Sequence, residues 1–218
     1  TKYNSSTIMT VKGYGYGTNS LEEAQTNATD STMKTYLDKW YNNNLIAYDS
    51  IISKDAVFCN NRTIYSIKFG TYQNEGYGNH PTMIGMQRFY NLMNSKSGPN
   101  LGCPSNDSFS VTTANGNGKL VNAIGLITMD EANMAGSTIN ANNLLYYLYS
   151  GTDYWTMSPS TFGNWFIASN FRISSFGLIG NTEVYQHYGV RPVINIDTSK
   201  ITFTGVGTKE NPYNIEIK

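Results

Sequence analysis

The chain has no run of about 18 apolar residues, the shortest stretch that crosses a membrane as a helix. It opens on "TKYNSSTIMT", which has neither the basic start nor the apolar centre of a secretory signal peptide. We therefore expect no direct membrane insertion by this segment. Because Thr1 stands where an initiator methionine would, we expect a domain from a longer surface protein whose export signal or anchor lies upstream.

Charge is scarce as well. Charged residues make up only 14% of the chain, and 15 basic residues balance 15 acidic ones. Nucleic acids and acidic membranes attract proteins through clustered positive charge, which this balance does not supply. The composition therefore predicts no nucleic-acid partner.

Residues that usually carry catalysis or bind metals are also few, with two histidines and two cysteines. His80 and His187 are isolated in the sequence, and neither belongs to a metal-binding or nucleophile motif. The cysteines are too far apart for a paired metal site. We predict no catalytic residue, no metal and no cofactor.

The two cysteines, Cys59 in "AVFCNNR" and Cys103 in "NLGCPSND", are predicted to form one disulfide. Two free thiols are the alternative. A disulfide implies an oxidising compartment, since the cytosol keeps thiols reduced. The prediction is therefore an extracellular protein.

Uncharged polar and aromatic residues are abundant, with 27 Asn, 20 Gly and 17 Tyr. Tyrosine offers a large, rigid contact area, while Ser, Gly and Asn provide adaptable hydrogen bonds, as in antibody loops. The composition is therefore typical of a binding surface. An AT-rich genome, which favours the codons for Asn and Tyr, is the alternative explanation.

Residues 1–218 suffice for one large domain, and no Pro-rich or charged linker divides them. Met33, Leu37 and Trp40 recur at helical spacing in "DSTMKTYLDKWYNNNLI", so Trp40 is expected to be a structural core residue. A second helix is predicted in "TMDEANMAG", with a threonine N-cap and a glycine stop. A third, short helix is expected within "HPTMIGMQRFYNLMNS".

Strand patterns dominate after residue 144. Strands are predicted in "YYLYSG", "DYWTMSP", "WFIASNFRIS", "GVRPVINI", "ITFTGV" and "YNIEIK", and one more in "LVNAIGLI" before the second helix. The last strand alternates apolar and polar residues and is expected to be half-buried. Helices early and strands late, without βαβ alternation, predict an α+β domain with a mostly antiparallel sheet.

Several motifs carry a resemblance: "GLITMDEANMAG", "DYWTMSPS", "YGVRPVINI" and "GTKENPYNIEI", with "KTYLDKWYNNNL" and "DAVFCNN" before them. Their order and spacing resemble an uncharacterised family of bacterial surface domains. That family is in turn similar to the C-type lectin-like domains related to formylglycine-generating enzymes. The resemblance implies a C-type lectin-like fold with two principal helices, in which Arg191 has a structural role and holds neighbouring backbone carbonyls.

Two departures from those families bear on function. Formylglycine-generating enzymes carry a catalytic cysteine pair late in the domain, whereas no cysteine follows Cys103 here. The Glu-Pro-Asn or Gln-Pro-Asp loop and the Trp-Asn-Asp motif of calcium-dependent lectins do not occur either. The resemblance therefore implies a non-enzymatic domain without the calcium-dependent sugar site of animal lectins.

The chain also resembles the variable proteins of diversity-generating retroelements, which display variable residues late in this fold. By that resemblance a binding surface is expected on residues 153–188, for a protein or glycan ligand on another cell or a phage host. Trp155 and Trp165 would also contact the ligand, Trp165 as fixed framework. The variable set would be Phe166, Phe176, Leu178, Asn181, Glu183, Tyr185 and His187.

Other interpretations remain open at this point. Large apolar residues in a late β segment are more often buried in the core than displayed. A structural module of pilin or tail-fibre type, without a variable site, is one alternative function. A degenerate enzyme of the formylglycine-generating type is another.

Overall fold

The structure, a computed structural model, describes residues 30–65, 82–162 and 168–218. Three residues singled out in the sequence, His80, Trp165 and Phe166, lie outside these described residues. The stretch "SLEEAQ", where Ser20 and Glu23 have the capping-box spacing that predicts a short helical turn, also lies outside them.

Helix α1 spans Thr32–Asn44 and confirms the helix predicted from apolar spacing. The Ser31 hydroxyl caps it by accepting a hydrogen bond of 3.1 Å from the Lys34 amide. Met33, Leu37 and Tyr41 are fully buried along one stripe. Trp40 packs against this core but stays partly exposed, since it lies at the margin of the stripe.

Two shorter helices follow. Helix α2 spans Ile84–Met93, and helix α3 spans Met129–Met134. Thr128 and Glu131 form a reciprocal capping box at the start of α3. Gly136 follows the helix with a φ of 107°, a left-handed conformation that glycine adopts without steric cost. Both helices were predicted, and both are confirmed.

The central sheet has five strands, β2 (Ile64–Tyr65), β3 (Thr82–Met83), β5 (Tyr154–Phe162), β6 (Ala168–Ile173) and β7 (Ile179–Glu183). They are all antiparallel and lie in the order β2-β3-β5-β6-β7. The two long strands, β5 and β6, pair with each other, and β7 forms an edge.

The remaining strands of the described residues form two small antiparallel sheets. One pairs β1 (Phe58–Cys59) with β4 (Ser108–Phe109), and the other is a hairpin of β8 (Ile201–Thr204) and β9 (Asn214–Ile217). Helices and antiparallel sheets together make this an α+β fold, as predicted.

The central sheet separates two buried clusters. Trp155 and Met157 point to the side of α1, where they join Met33 and Leu37. On the opposite face Tyr154 and the β6 residues Phe171 and Ile173 pack against α2 and α3. Alternation along the strands produces this division, because neighbouring side chains point to opposite faces. Trp155 has no exposed surface, so the expectation that it contacts a ligand is wrong.

Three predicted strands are absent from the described residues. Residues 146–151 form turns, and residues 120–127 and 189–196 make only isolated bridges, such as Gly125 to Val193 and Gly189 to Tyr154. Some of their apolar side chains, such as Tyr146 and Ile124, are buried in the core on irregular backbone, whereas Tyr147 and Val121 are exposed. Strand β9 does form, but its residues are exposed on both faces, so the expectation of a half-buried strand is wrong.

The predicted disulfide is confirmed. Cys59 and Cys103 are bonded, with Cα atoms 5.9 Å apart and a sequence separation of 44 residues. The bond attaches the segment after α2 to strand β1. The neighbouring backbone is also paired, since the Asn60 amide donates to the Asp107 carbonyl at 3.0 Å.

Candidate functional site

The structure separates the residues predicted to form one displayed set. Phe176 and Leu178 lie in the turn before β7, and Tyr185 and His187 follow its other end. The strand itself carries Asn181 and Glu183, which share one face. Phe176, Asn181 and His187 are exposed, whereas Leu178, Glu183 and Tyr185 are half-buried.

The turn between β6 and β7 is held by its own backbone and by Ser174. The Ser174 amide donates to the Leu178 carbonyl at 2.8 Å, and the Gly177 amide donates back to the Ser174 carbonyl at 2.9 Å. The Ser174 hydroxyl accepts from the amides of Phe176 and Leu178, each at 3.2 Å. The side chain of Phe176 is left 55% exposed at the tip.

A second segment lies against this turn, the loop that follows α3. The Asn143 amide donates to the Phe176 carbonyl at 3.0 Å. The Thr138 amide and the Ser137 hydroxyl both donate to the Gly177 carbonyl, at 3.2 and 2.9 Å. Residues 137–143 therefore pack directly against the turn.

The loop displays large side chains beside Phe176. Leu145 is 94% exposed and Tyr147 is 89% exposed. Large exposed apolar side chains on two segments that hydrogen-bond each other make a candidate interaction site. We call this surface the loop–turn patch; its members are Met134, Leu144, Leu145, Tyr147, Tyr149 and Phe176.

The backbone under the loop–turn patch is anchored. Tyr146 is buried, and its hydroxyl hydrogen-bonds the hydroxyl of Tyr154 on β5. Burial, and then this hydrogen bond, raise the pKa of Tyr146 above its ordinary value. The Tyr147 amide donates to the Ala135 carbonyl at 3.2 Å, and the Tyr149 hydroxyl donates to the Ser175 carbonyl at 3.1 Å. The exposed side chains thus project from a fixed support.

Sequence reasoning missed most of this patch, because "YYLYSG" was interpreted as a strand. The signal that identifies a loop lies just before it, in the asparagines at 140, 142 and 143. The Asn143 side chain accepts from the Leu145 amide at 3.1 Å and donates to the Gly136 carbonyl at 2.8 Å. Such local bonds favour a turn over a strand.

A polar cluster connects the turn to the segment after β7. The Asp153 carboxylate accepts from Arg172 Nη1 at 2.5 Å and from the Ser175 amide at 2.8 Å. The Arg172 guanidinium lies 5.1 Å from the centre of the Tyr188 ring, which also contacts Trp155 edge-on. This cluster positions the turn relative to the core.

Arg191 contacts both the loop after α3 and strand β5. Its Nη1 donates to the Leu148 carbonyl, and its guanidinium lies 4.9 Å from the centre of the Tyr154 ring. It therefore holds the end of the loop that carries the patch.

Gly177 allows the turn and the loop to meet, and its substitution is expected to separate them. Its φ is 74°, and a Cβ there would lie 2.1 Å from the Asn143 carbonyl oxygen. We expect Gly177→Ala to lower the free energy of unfolding by about 2 kcal/mol or more, because strain and a clash add. Denaturant unfolding measures this. Gly180→Ala is the control, since a Cβ there meets nothing within 4 Å. Equal losses of stability in both variants would contradict the close approach of Gly177 to Asn143.

A cavity of about 270 Å³ lies beside the disulfide and is lined by none of the patch residues. Its charged lining is internally paired. Arg88 donates to Asp130 at 3.2 Å and to the carbonyls of Asn100 and Gly102, both at 2.8 Å. These bonds hold the 100–102 loop against the start of α3.

Within the described ranges no group of three or more His, Cys, Asp or Glu residues is arranged to hold a metal ion. No helix in the part of the chain that the structure describes is long and apolar enough to cross a membrane.

The chain matches no known family model, no curated protein and no solved structure.

Proposed function

We propose that this chain is a non-enzymatic ligand-binding domain, of adhesin or receptor type, that contacts its ligand through the loop–turn patch. The observation that carries this proposal is the exposure of Leu145, Tyr147 and Phe176 on two segments whose backbones hydrogen-bond each other. Side chains that serve only folding would be buried at such a junction.

The chemistry of the patch suits a protein or glycan ligand. Tyr147 and Tyr149 combine an aromatic face with a hydroxyl, so they bind at low entropic cost. The balance of 15 basic and 15 acidic residues in the chain fits a neutral partner better than a nucleic acid or an acidic membrane.

The finer parts of the proposal rest on the resemblance. A C-type lectin-like scaffold would carry the variable residues in its last β segment, and Phe176, Asn181 and His187 are exposed there. Diversification by a retroelement then predicts a reverse transcriptase gene nearby. It also predicts a template repeat that differs at adenines over the codons of this segment.

Location outside the cell is part of the same proposal. The Cys59–Cys103 bond supports it, because structural disulfides persist in oxidising compartments. A surface domain would meet ligands on another cell or on a phage host.

The test replaces three patch residues together, Leu145→Ser, Tyr147→Ser and Phe176→Ser. We expect the free energy of unfolding to change by about 1 kcal/mol or less, since exposed positions contribute little. Binding of the labelled domain to glycan arrays and to intact cells is expected to fall at least about tenfold, because exposed aromatic anchors dominate interfaces. Undiminished binding by the folded triple variant would refute the proposal that the ligand binds through the loop–turn patch.

A matched control uses another exposed apolar surface, the β8–β9 hairpin. Phe203, Val206 and Ile215 are exposed there, and their replacement by serine is expected to leave ligand binding intact. This hairpin is also the observation that favours the alternative, a structural pilin-like or tail-fibre module. If the hairpin variant loses self-assembly and the patch variant loses nothing, the structural alternative replaces the binding domain.

A further inference from the structure

Helix α1 buries a lysine beside the hydrophobic core. The Lys34 side chain is only 4% exposed, although it lies next to Met33 and one turn before Leu37. A buried ammonium is costly unless it is paired. Its partner in the described structure is Asp38, four residues later, whose side chain is 21% exposed.

The same carboxylate also contacts a buried amide. Asn122 Nδ2 donates to Asp38 Oδ1 at 3.1 Å, while Lys34 Nζ donates to Asp38 Oδ2. Asn122 lies between the core residues Leu120 and Ala123 and is itself 7% exposed. One carboxylate thus holds the Lys34 amine and the Asn122 amide on its two oxygens, although Asn122 lies 84 residues after Asp38 in sequence.

We propose that Lys34 and Asn122 form an intramolecular isopeptide bond, with Asp38 as the proton carrier. A nucleophile, an acceptor amide and an acid–base group held together in a water-poor site are what this amide exchange requires. The product amide is neutral, so the reaction also removes the buried positive charge that the fold would otherwise retain.

The step balances without a co-reactant. The Lys34 ammonium gives a proton to Asp38 and becomes an amine, whose lone pair attacks Cγ of Asn122. Asp38 transfers a proton to Asn122 Nδ2, which its own Oδ1 already contacts. The Cγ–Nδ2 bond breaks, ammonia leaves, and the second amine proton passes to Asp38. The products are one secondary amide, one ammonia and a protonated Asp38.

The bond would connect the first turn of α1 directly to the segment before α3. A covalent link at this point resists unfolding and extension of the chain between the two residues, just as a disulfide constrains a loop. Unlike the Cys59–Cys103 bond, it would not be opened by reductant. The proposal does not depend on the identity of any ligand.

The first test is the intact mass of the unaltered full chain. We expect a mass about 17 Da below that of the sequence with one disulfide, because one ammonia is lost. After reduction and proteolysis, fragment sequencing should identify one peptide pair joined through Lys34 and Asn122. The deficit alone is insufficient, since succinimide formation at an asparagine also loses ammonia, and the joined peptides distinguish the two.

Variants identify the roles of the three groups. Lys34→Met, Asn122→Ala and Asp38→Asn are each expected to restore the full mass. Asn122→Asp should form the same bond with loss of water, a deficit of about 18 Da relative to its own sequence. Lys39→Met is the control, since Lys39 lies exposed on the same helix and should leave the deficit unchanged.

The result that would overturn the proposal requires no variant. A native, folded chain at its full sequence mass, with no peptides joined through Lys34, excludes the bond even if every substitution fails to fold. Retention of the deficit in a folded Asn122→Ala variant would overturn it too, because the amide acceptor would then be another residue.

Discussion

Trp155→Ala is expected to lower the free energy of unfolding by about 3–5 kcal/mol, the cost of deleting a large buried aromatic side chain. Trp155 is fully buried and belongs to the cluster that packs against α1. Its ring also lies 5.0 Å from the ring of Tyr188, in an edge-on arrangement that stabilises the segment after β7. Loss of the side chain leaves a cavity that the sheet cannot fill.

Urea unfolding monitored by circular dichroism measures this change. Trp40→Ala is the matched control, because Trp40 is partly exposed at the edge of the same cluster and its loss should be smaller. If Trp155→Ala retained full stability and reduced ligand binding instead, Trp155 would be a contact residue, as the sequence suggested.

Removal of the disulfide is expected to cost about 4 kcal/mol by chain-entropy reasoning, and somewhat less in practice. The bond closes a loop across 44 residues that includes α2. Without it the unfolded chain gains freedom, whereas the folded backbone at Asn60 and Asp107 keeps its own hydrogen bonds. The double variant Cys59→Ala/Cys103→Ala should therefore remain folded at a lower melting temperature.

Reductant provides an independent measurement. It should lower the melting temperature of the native chain to that of the double variant, and it should not affect the double variant itself. Equal melting temperatures for the native, reduced and substituted proteins would show that the bond contributes nothing to stability.

Local signals predicted the helices well. Thr128 caps α3 as expected, and Ser31 caps α1, because capping depends on a few neighbouring residues. Strand β6 followed similarly from residue type and alternation. These elements are confirmed because short-range preference and burial agree in them.

The errors share a physical cause. The apolar residues of 146–151 and 189–196 were interpreted as strands, yet they lie on irregular backbone. Strand β7 was hidden in a segment rich in Gly, Ser and Asn, where pairing with β6 outweighs weak intrinsic preference. Apolar composition indicates burial or contact, but a strand exists only where a partner strand supplies hydrogen bonds.

The sequence by itself determined the α+β class, the capped helices and the cysteine pair, because these depend on composition and short-range spacing. Only the tertiary structure decided that Trp155 is core and that Leu145 and Tyr147 are displayed beside Phe176. Whether a large side chain is buried depends on which distant segment covers it. In this protein the loop after α3 and the turn before β7 meet through Gly177 and Asn143, a contact that no local pattern encodes.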